Sequence, residues 1–111
     1  MKGKRVLIVD DEADFRLLMK DFFDKKDCIV FLANSLTAGL EKLHSEKPDV
    51  MLLDNMLPDG LGWSKAEFIL ANYPKTKLIL MSAMEVPKTS SSSFSIFYKP
   101  LIKDELRKMF E

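Results

Sequence analysis

Cysteine is almost absent from this 111-residue sequence, which contains only Cys28. A single cysteine cannot form an internal disulfide, so the chain falls outside the class of small disulfide-rich secreted domains. We interpret Cys28, which lies in an apolar run, as a core residue and expect a cytoplasmic location. No apolar run approaches the ~20 residues that a membrane-spanning helix requires. The basic stretch 2–5 is not followed by the long apolar segment of a signal peptide.

An excess of charge of either sign is also missing, because Lys plus Arg and Asp plus Glu number 17 each. We therefore expect no direct binding to nucleic acid or to an anionic membrane. His44 is the only histidine, so no Cys–His or His–His spacing offers a soft metal site. No Gly-rich turn follows the first apolar run, which argues against a nucleotide or flavin carrier. The 47% hydrophobic content suffices for one core, and we expect a single domain over residues 1–111.

Short apolar segments alternate with helical patterns along the whole chain. Each segment is apolar throughout, as is typical of strands that are buried on both faces of a parallel sheet. The five predicted strands are Arg5–Val9, Cys28–Ala33, Val50–Leu53, Leu78–Met81 and Ser95–Tyr98. The alternation predicts a doubly wound α/β fold with a five-stranded parallel sheet in the order 2-1-3-4-5.

The connecting helices are predicted from apolar spacing and from capping residues. The first helix has five apolar residues at the spacing of one helical face: Phe15, Leu18, Met19, Phe22 and Phe23. Ser35 fits the N-cap of a second helix, whose inward residues would be Leu36, Leu40 and Leu43. Ser64 and Glu67 fit a capping box with Trp63 and Phe68 as its hydrophobic staple, for a third helix that ends near Asn72. A short last helix would bury Ile102, Leu106, Met109 and Phe110.

In this strand order, the carboxyl ends of strands 1, 3, 4 and 5 become neighbours along one edge of the sheet. The polar residues at these ends are Asp10, Asp11, Asp54, Ser82 and Lys99. Each residue alone has an ordinary explanation as a turn, helix-capping or solvated residue. Their coincidence at four neighbouring strand ends predicts a functional site instead.

The predicted chemistry of this site follows from its crowded carboxylates. Adjacent strands are ~4.8 Å apart, and two unit charges ~5 Å apart repel by roughly 3 kcal/mol at an effective dielectric of 20. A shared proton or a cation must offset this repulsion, and oxygen ligands with open positions favour Mg²⁺. A carboxylate beside Mg²⁺ can act as a nucleophile toward phosphorus and form an aspartyl phosphate. The Lys99 ammonium and the Ser82 hydroxyl could then balance the added charge.

The sequence resembles the response-regulator receiver domains of bacterial two-component signalling over essentially its whole length. The resemblance lies in VLIVDDE at 6–12, DNMLPDG at 54–60, MSA at 81–83 and the Lys99–Pro100 pair. It implies a flavodoxin-like receiver fold and a phosphorylation-dependent conformational change. The phosphoryl group would come from the phosphohistidine of a sensor histidine kinase or phosphotransfer protein, and an unknown downstream protein would receive the signal.

The resemblance also implies a role for each site residue. Asp54 would be the phosphoacceptor, and Asp10 and Asp11 would hold Mg²⁺ together with Asp54 and the backbone carbonyl of Met56. Ser82 would be the switch hydroxyl, and Lys99 would contact the phosphate. We expect no turnover of external substrates. We expect slow self-dephosphorylation, because the side chains of Met56 and Met84 cannot hydrogen-bond an attacking water well.

Two features depart from the usual receiver pattern. Lys99 follows Ser82 by only seventeen positions, and the segment 85–93 contains a proline and four consecutive serines, which are poor helix formers. We therefore expect helix 4 to be absent or reduced. Ile96 stands three residues before Lys99, where the family usually carries an aromatic residue. Both departures fall on the surface that receivers commonly use for output.

Alternative functions stay open at this point. A receiver-like interaction module that works without phosphorylation would be consistent with a degraded fourth helix. A small phosphatase with an Asp nucleophile usually needs a second Asp two residues later, where this sequence has Met56. The chain is either a stand-alone regulator or a receiver excised from a longer protein.

Overall fold

The computed structural model describes residues 2–82 and 95–98, which form an alternating series of strands and helices. The strands are β1 (Arg5–Val9), β2 (Ile29–Ala33), β3 (Val50–Asp54), β4 (Met56–Leu57), β5 (Gly60–Leu61), β6 (Lys77–Ser82) and β7 (Ser95–Tyr98). The helices are α1 (Ala13–Asp24), α2 (Leu36–Glu46) and α3 (Ala66–Asn72), with a 3-10 helix at Gly62–Lys65 before α3. Among these described residues, none of the helices has the length and apolar character that crossing a membrane requires.

Five of the described strands form one parallel sheet in the order β2-β1-β3-β6-β7. This order confirms the predicted doubly wound topology, because β6 and β7 are the fourth and fifth predicted strands. The predicted strand bounds agree with the structure to within one residue. After β1 the chain forms β2 on one side of β1 and then returns to form β3 on the other side. The carboxyl ends of β1 and β3 therefore lie side by side.

The core has two layers, one on each face of the sheet. Successive strand residues face opposite sides, so β1 contributes Val6 and Ile8 to one cluster and Leu7 and Val9 to the other. All four side chains are fully buried. This two-sided burial explains why the strands are apolar throughout rather than alternating with polar residues.

Helix α1 buries a narrower stripe than its sequence pattern predicts. Phe15, Met19 and Phe23 are buried, Phe22 is partly buried, and Leu18 is 46% exposed. Residues advance by about 100° around a helix, so Leu18 lies about 100° from Met19, at the centre of the buried stripe. The prediction that Leu18 faces the core is therefore wrong.

Helix α2 begins as predicted and packs closely on β1. The Ala38 amide donates to the Ser35 hydroxyl at 3.1 Å, which confirms Ser35 as the N-cap. A Cβ atom on Gly39 would lie 2.8 Å from a methyl carbon of Val9. Glycine at this position therefore allows α2 to approach the carboxyl end of β1.

The predicted capping box of α3 is wrong. The Ser64 hydroxyl donates to the Leu61 carbonyl at 2.6 Å instead of capping, and α3 begins at Ala66. Phe68 is 50% exposed, so it does not form the predicted staple. A 3-10 turn precedes α3, because the amides at its start are bonded to Asn55. Helix α3 ends at Asn72 as predicted, whereas helix 4 and the last predicted helix fall outside the described residues.

Candidate functional site

Two buried carboxylates lie side by side at the carboxyl edge of the sheet. The register pairs Val9 of β1 with Leu53 of β3, so the next residues along the two strands are Asp10 and Asp54. Asp10 is 0% exposed and Asp54 is 5% exposed. Buried carboxylates are costly unless hydrogen bonds or opposite charges compensate them. This pair therefore distinguishes the carboxyl edge from an ordinary polar rim.

Hydrogen bonds hold both the backbone and the side chain of Asp10 in place. The Asp10 amide donates to the Ala33 carbonyl at 3.0 Å, and the Asp10 carbonyl accepts from the Arg16 guanidinium at 2.7 Å. The Asp10 carboxylate accepts from the Glu12 amide at 2.9 Å, which closes the turn between β1 and α1. These bonds determine where the acidic residues after β1 point.

Asp10, Asp11 and Glu12 form an acidic cluster at the start of α1. One carboxylate oxygen of each residue lies within 4.8 Å of the others, and Asp11 and Glu12 are exposed. Three oxygen donors this close suit a hard divalent cation such as Mg²⁺, with the solvent side open for water. Glu12 was not among the predicted ligands, although it is the third acid in the DDE run and lies at the N-cap of α1.

The residues Pro58, Asp59 and Gly60 predict only a turn after Asp54, whereas the structure has a two-stranded hairpin there. In this site hairpin, formed by β4 and β5, Met56 pairs with Leu61 and Leu57 pairs with Gly60. Asn55 closes its base, because the Asn55 carbonyl accepts from the Gly62 amide at 2.8 Å and the Asn55 side chain accepts from the Trp63 amide at 3.1 Å. The Asn55 amide donates to the Asp54 carboxylate at 2.9 Å. The hairpin base and the Asp54 side chain are thus directly connected.

Gly62 lies against the backbone of Asp54. A Cβ atom at this position would lie only 2.0 Å from the Asp54 carbonyl oxygen. Any other residue would therefore displace backbone rather than a flexible side chain. The close approach is a steric reason for glycine here, and it depends on tertiary packing that a turn motif alone does not reveal.

The other predicted site residues have the following positions. Met56 is the first residue of β4 and is 69% exposed. Ser82 is the last residue of β6, and its neighbour Met81 pairs with Asp54, so Ser82 is one residue beyond Asp54 in register. Ser82 also pairs with Tyr98 of β7. Lys99 lies outside the described residues.

Asp59, at the tip of the site hairpin, was not singled out from the sequence. Its two carboxylate oxygens accept from the amides of Leu36 at 2.7 Å and Thr37 at 2.8 Å, at the start of α2. Hydrogen bonding to Thr37, and then to Leu36, lowers the pKa of Asp59 to about 2. The only sequence signal was the Pro-Asp-Gly turn, which does not show where the carboxylate points.

Comparison with known proteins agrees with this geometry. The family model for the response regulator receiver domain matches residues 6–111. The chain is 39% identical over 85 residues to the chemotaxis protein CheY of Thermotoga maritima, which covers 74% of this chain and 69% of that protein. It is 35% identical over 82 residues to protein-glutamate methylesterase/protein-glutamine glutaminase 2 of Methanosarcina mazei, covering 72% of this chain but 22% of that longer protein.

A solved structure shows the same fold. The response regulator protein TrrA from Thermotoga maritima, in complex with Mg²⁺-BeF, superimposes with a TM-score of 0.84 at 28% sequence identity. The match covers 96% of this chain and 96% of that chain. The chain therefore belongs to the family of response regulator receiver domains, the receiving modules of two-component signalling.

Proposed function

We propose that Asp54 accepts a phosphoryl group from the phosphohistidine of a sensor histidine kinase or phosphotransfer protein. The observation that carries this proposal is the burial of Asp54 beside Asp10 at the carboxyl edge of the sheet. Aspartate is rarely this buried without a specific partner or role. A carboxylate oxygen of Asp54 forms the new P–O bond as the P–N bond of the phosphohistidine breaks. The imidazole leaves with the electron pair.

The neighbouring residues would stabilise the product. Asp10, Asp11 and Asp54 would hold Mg²⁺ together with the backbone carbonyl of Met56, and the acidic cluster offers the oxygen donors that this ion prefers. When bound, the ion supplies positive charge beside the phosphoryl oxygens. The Ser82 hydroxyl would donate a hydrogen bond to the phosphate, and the Lys99 ammonium would offset its charge. The complex of TrrA with Mg²⁺-BeF supports this assignment by similarity.

The phosphoacceptor can be tested directly. We expect incubation with Mg²⁺ and acetyl phosphate to give a hydroxylamine-labile phosphate in the wild type and none in Asp54→Asn. Asp21→Asn is the matched control, because Asp21 is an exposed α1 residue whose ion pair with Lys25 contributes little to stability. It should be labelled like the wild type. Label retained in Asp54→Asn would disprove the assignment.

We further propose that the receiver domain spans residues 1–111 and acts in the cytoplasm as a phosphoacceptor rather than an enzyme with external substrates. Phosphorylation would change its conformation and alter binding to a downstream protein. A folded wild type that takes up no phosphate would favour the alternative, an interaction module that works without phosphorylation. Repeated turnover of a phosphate ester would favour a phosphatase.

A further inference from the structure

The side chain of Asp59 joins the site hairpin to α2 by two hydrogen bonds. We propose that Asp59 is a positioning residue, which holds the hairpin so that Asp54 and the Met56 carbonyl keep the geometry that binds the metal ion and the phosphoryl group. This inference rests on the proposed function. It adds a residue that affects binding of the metal ion and the phosphoryl group from outside the site itself. Asp59 is not expected to touch the metal ion or the phosphoryl group.

The amides in the first turn of α2 donate their hydrogen bonds to Ser35 and Asp59. The amides of Leu36, Thr37 and Ala38 have no partner within the helix, because they belong to its first turn. Ser35 accepts from Ala38, and Asp59 accepts from the other two. Ser35 caps the helix locally, whereas Asp59 reaches it from 22 and 23 positions along the chain. The bonds of Asp59 therefore join two elements instead of closing one.

Helix α2 is itself fixed to the other half of the site. The close contact of Gly39 with Val9 seats α2 on the last residue of β1, directly before Asp10. Asp59 therefore connects the hairpin after Asp54 to the strand that ends at Asp10. Gly60 adds a second contact at the hairpin tip, since a Cβ atom there would lie 3.3 Å from the Leu36 side chain.

The hairpin is thus held at both ends, by Asn55 at its base and by Asp59 at its tip. Met56 lies between these two attachments, and its backbone position depends on both. Without Asp59, the hairpin would keep its strand pairing and its apolar contacts through Leu57 and Gly60, but it would lose its hydrogen bonds to α2. Groups that hydrogen-bond directly to metal ligands affect metal affinity by roughly 10–100-fold. Asp59 acts one step further from the ligands, so we expect an effect at the lower end of this range.

The test compares two substitutions that each remove a cap from α2. Asp59→Ala removes the cap that also holds the hairpin, whereas Ser35→Ala removes only the local one. Mg²⁺ affinity, and beryllofluoride affinity in the presence of Mg²⁺, would be measured by NMR on the amides of Asp54 and Met56. We expect Asp59→Ala to weaken both affinities on the order of tenfold, and Ser35→Ala to leave them unchanged.

Several outcomes would overturn the inference. Wild-type affinities in folded Asp59→Ala would do so, and so would an equal loss in Ser35→Ala, which would indicate general loosening of α2. If Asp59→Ala does not fold, Asp59→Asn gives the same comparison, because it keeps one acceptor oxygen and loses the other. A wild type that binds no beryllofluoride would overturn this inference and the proposed function together. Normal Asp54-dependent binding in both wild type and Asp59→Ala would overturn the inference alone.

Discussion

At the residue scale, burial separates the site acids from the surface acids. The sequence contains 17 acidic residues, yet Asp10 and Asp54 are the only ones that are buried among the residues the structure describes. Charged residues are almost never fully buried without a partner or a function. Burial is independent of the sequence motif. It therefore adds support for a functional role of the two residues that the sequence pattern places at neighbouring strand ends.

The lifetime of the proposed aspartyl phosphate should depend on Met56. Its side chain is 69% exposed, two residues after Asp54, and its thioether is a poor hydrogen-bond partner for an attacking water. We expect Met56→Asn or Met56→Glu to speed hydrolysis about fivefold, since one hydrogen bond contributes about 1 kcal/mol. The decay of the labelled phosphoprotein measures this rate.

The control for this prediction is Phe68→Asn, which introduces the same polar group at an exposed apolar position on α3. Its hydrolysis rate should match that of the wild type. If Met56→Asn and Met56→Glu also decay at the wild-type rate, the side chain at this position does not control access of water. Met84, the second residue in this prediction, lies outside the described residues.

At the element scale, regular elements were easier to predict than the connections between them. The five strands of the parallel sheet and the Ser35 cap follow from local patterns, and the structure confirms them. The capping box at Ser64 failed because hydrogen bonds from another segment compete with the local pattern. The amides of Gly62 and Trp63 are bonded to Asn55, so this segment forms a 3-10 turn and not the first turn of α3.

The attachment between the site hairpin and α2 should weaken in acid. Hydrogen bonds lower the pKa of Asp59 from its ordinary value of 3.8 to about 2 in the folded protein. A lowered pKa stabilises the fold fully above the unfolded value, and this stabilisation is lost as pH falls through the folded value. The excess stability of wild type over Asp59→Asn should therefore be constant above pH 5 and shrink from about pH 4 toward pH 2.

Urea denaturation of both proteins across this pH range measures the difference. Direct titration of the Asp59 carboxyl group by NMR provides a second measurement, with an expected midpoint near 2. A carboxyl group that titrates at its ordinary value would mean that the bonds to Leu36 and Thr37 do not persist in solution. The prediction concerns stability alone and does not require phosphorylation.

At the scale of the whole molecule, the carboxyl edge of the sheet carries the proposed site, whereas the amino edge carries hydrogen bonds that join strands. Asp54 ends β3 at the carboxyl edge, whereas Asp49 precedes β3 at the amino edge. The Asp49 amide donates to the Arg5 carbonyl, and the Asp49 carbonyl accepts from the Lys77 amide. The Asp49 carboxylate accepts from the Arg5 amide at 2.8 Å. Asp49 thereby joins the starts of three strands. Of the two aspartates at opposite ends of β3, Asp49 therefore has a structural role and Asp54 has the proposed chemical role.

Stability and site chemistry should accordingly be separable by mutation. At the amino edge, the buried Thr76 hydroxyl donates to the Pro48 carbonyl at 2.6 Å. Thr76→Val has nearly the same shape but removes this donor, and we expect it to lower the free energy of unfolding by about 1–3 kcal/mol. Beryllofluoride affinity at 25 °C should not change. Thermal or urea denaturation, together with a binding titration, measures both quantities.

Thr76→Ser is the control, because it keeps the hydroxyl and should retain most of the stability that Thr76→Val loses. A loss of beryllofluoride affinity in folded Thr76→Val would show that the two edges are coupled. Equal stability of Thr76→Val and the wild type would show that the buried hydrogen bond contributes nothing.

The sequence by itself determined the five strands of the parallel sheet, their order and the positions of Asp10, Asp11 and Asp54 at the strand ends, because strand burial and parallel crossovers follow from local patterns and general rules of chain topology. Tertiary structure alone decided that Glu12 joins the acidic cluster, that Gly62 lies against Asp54 and that Asp59 caps α2. Each of these contacts depends on where a turn places one side chain or amide relative to another element. Such a placement follows from the packing of the whole chain and leaves no periodic pattern in the sequence.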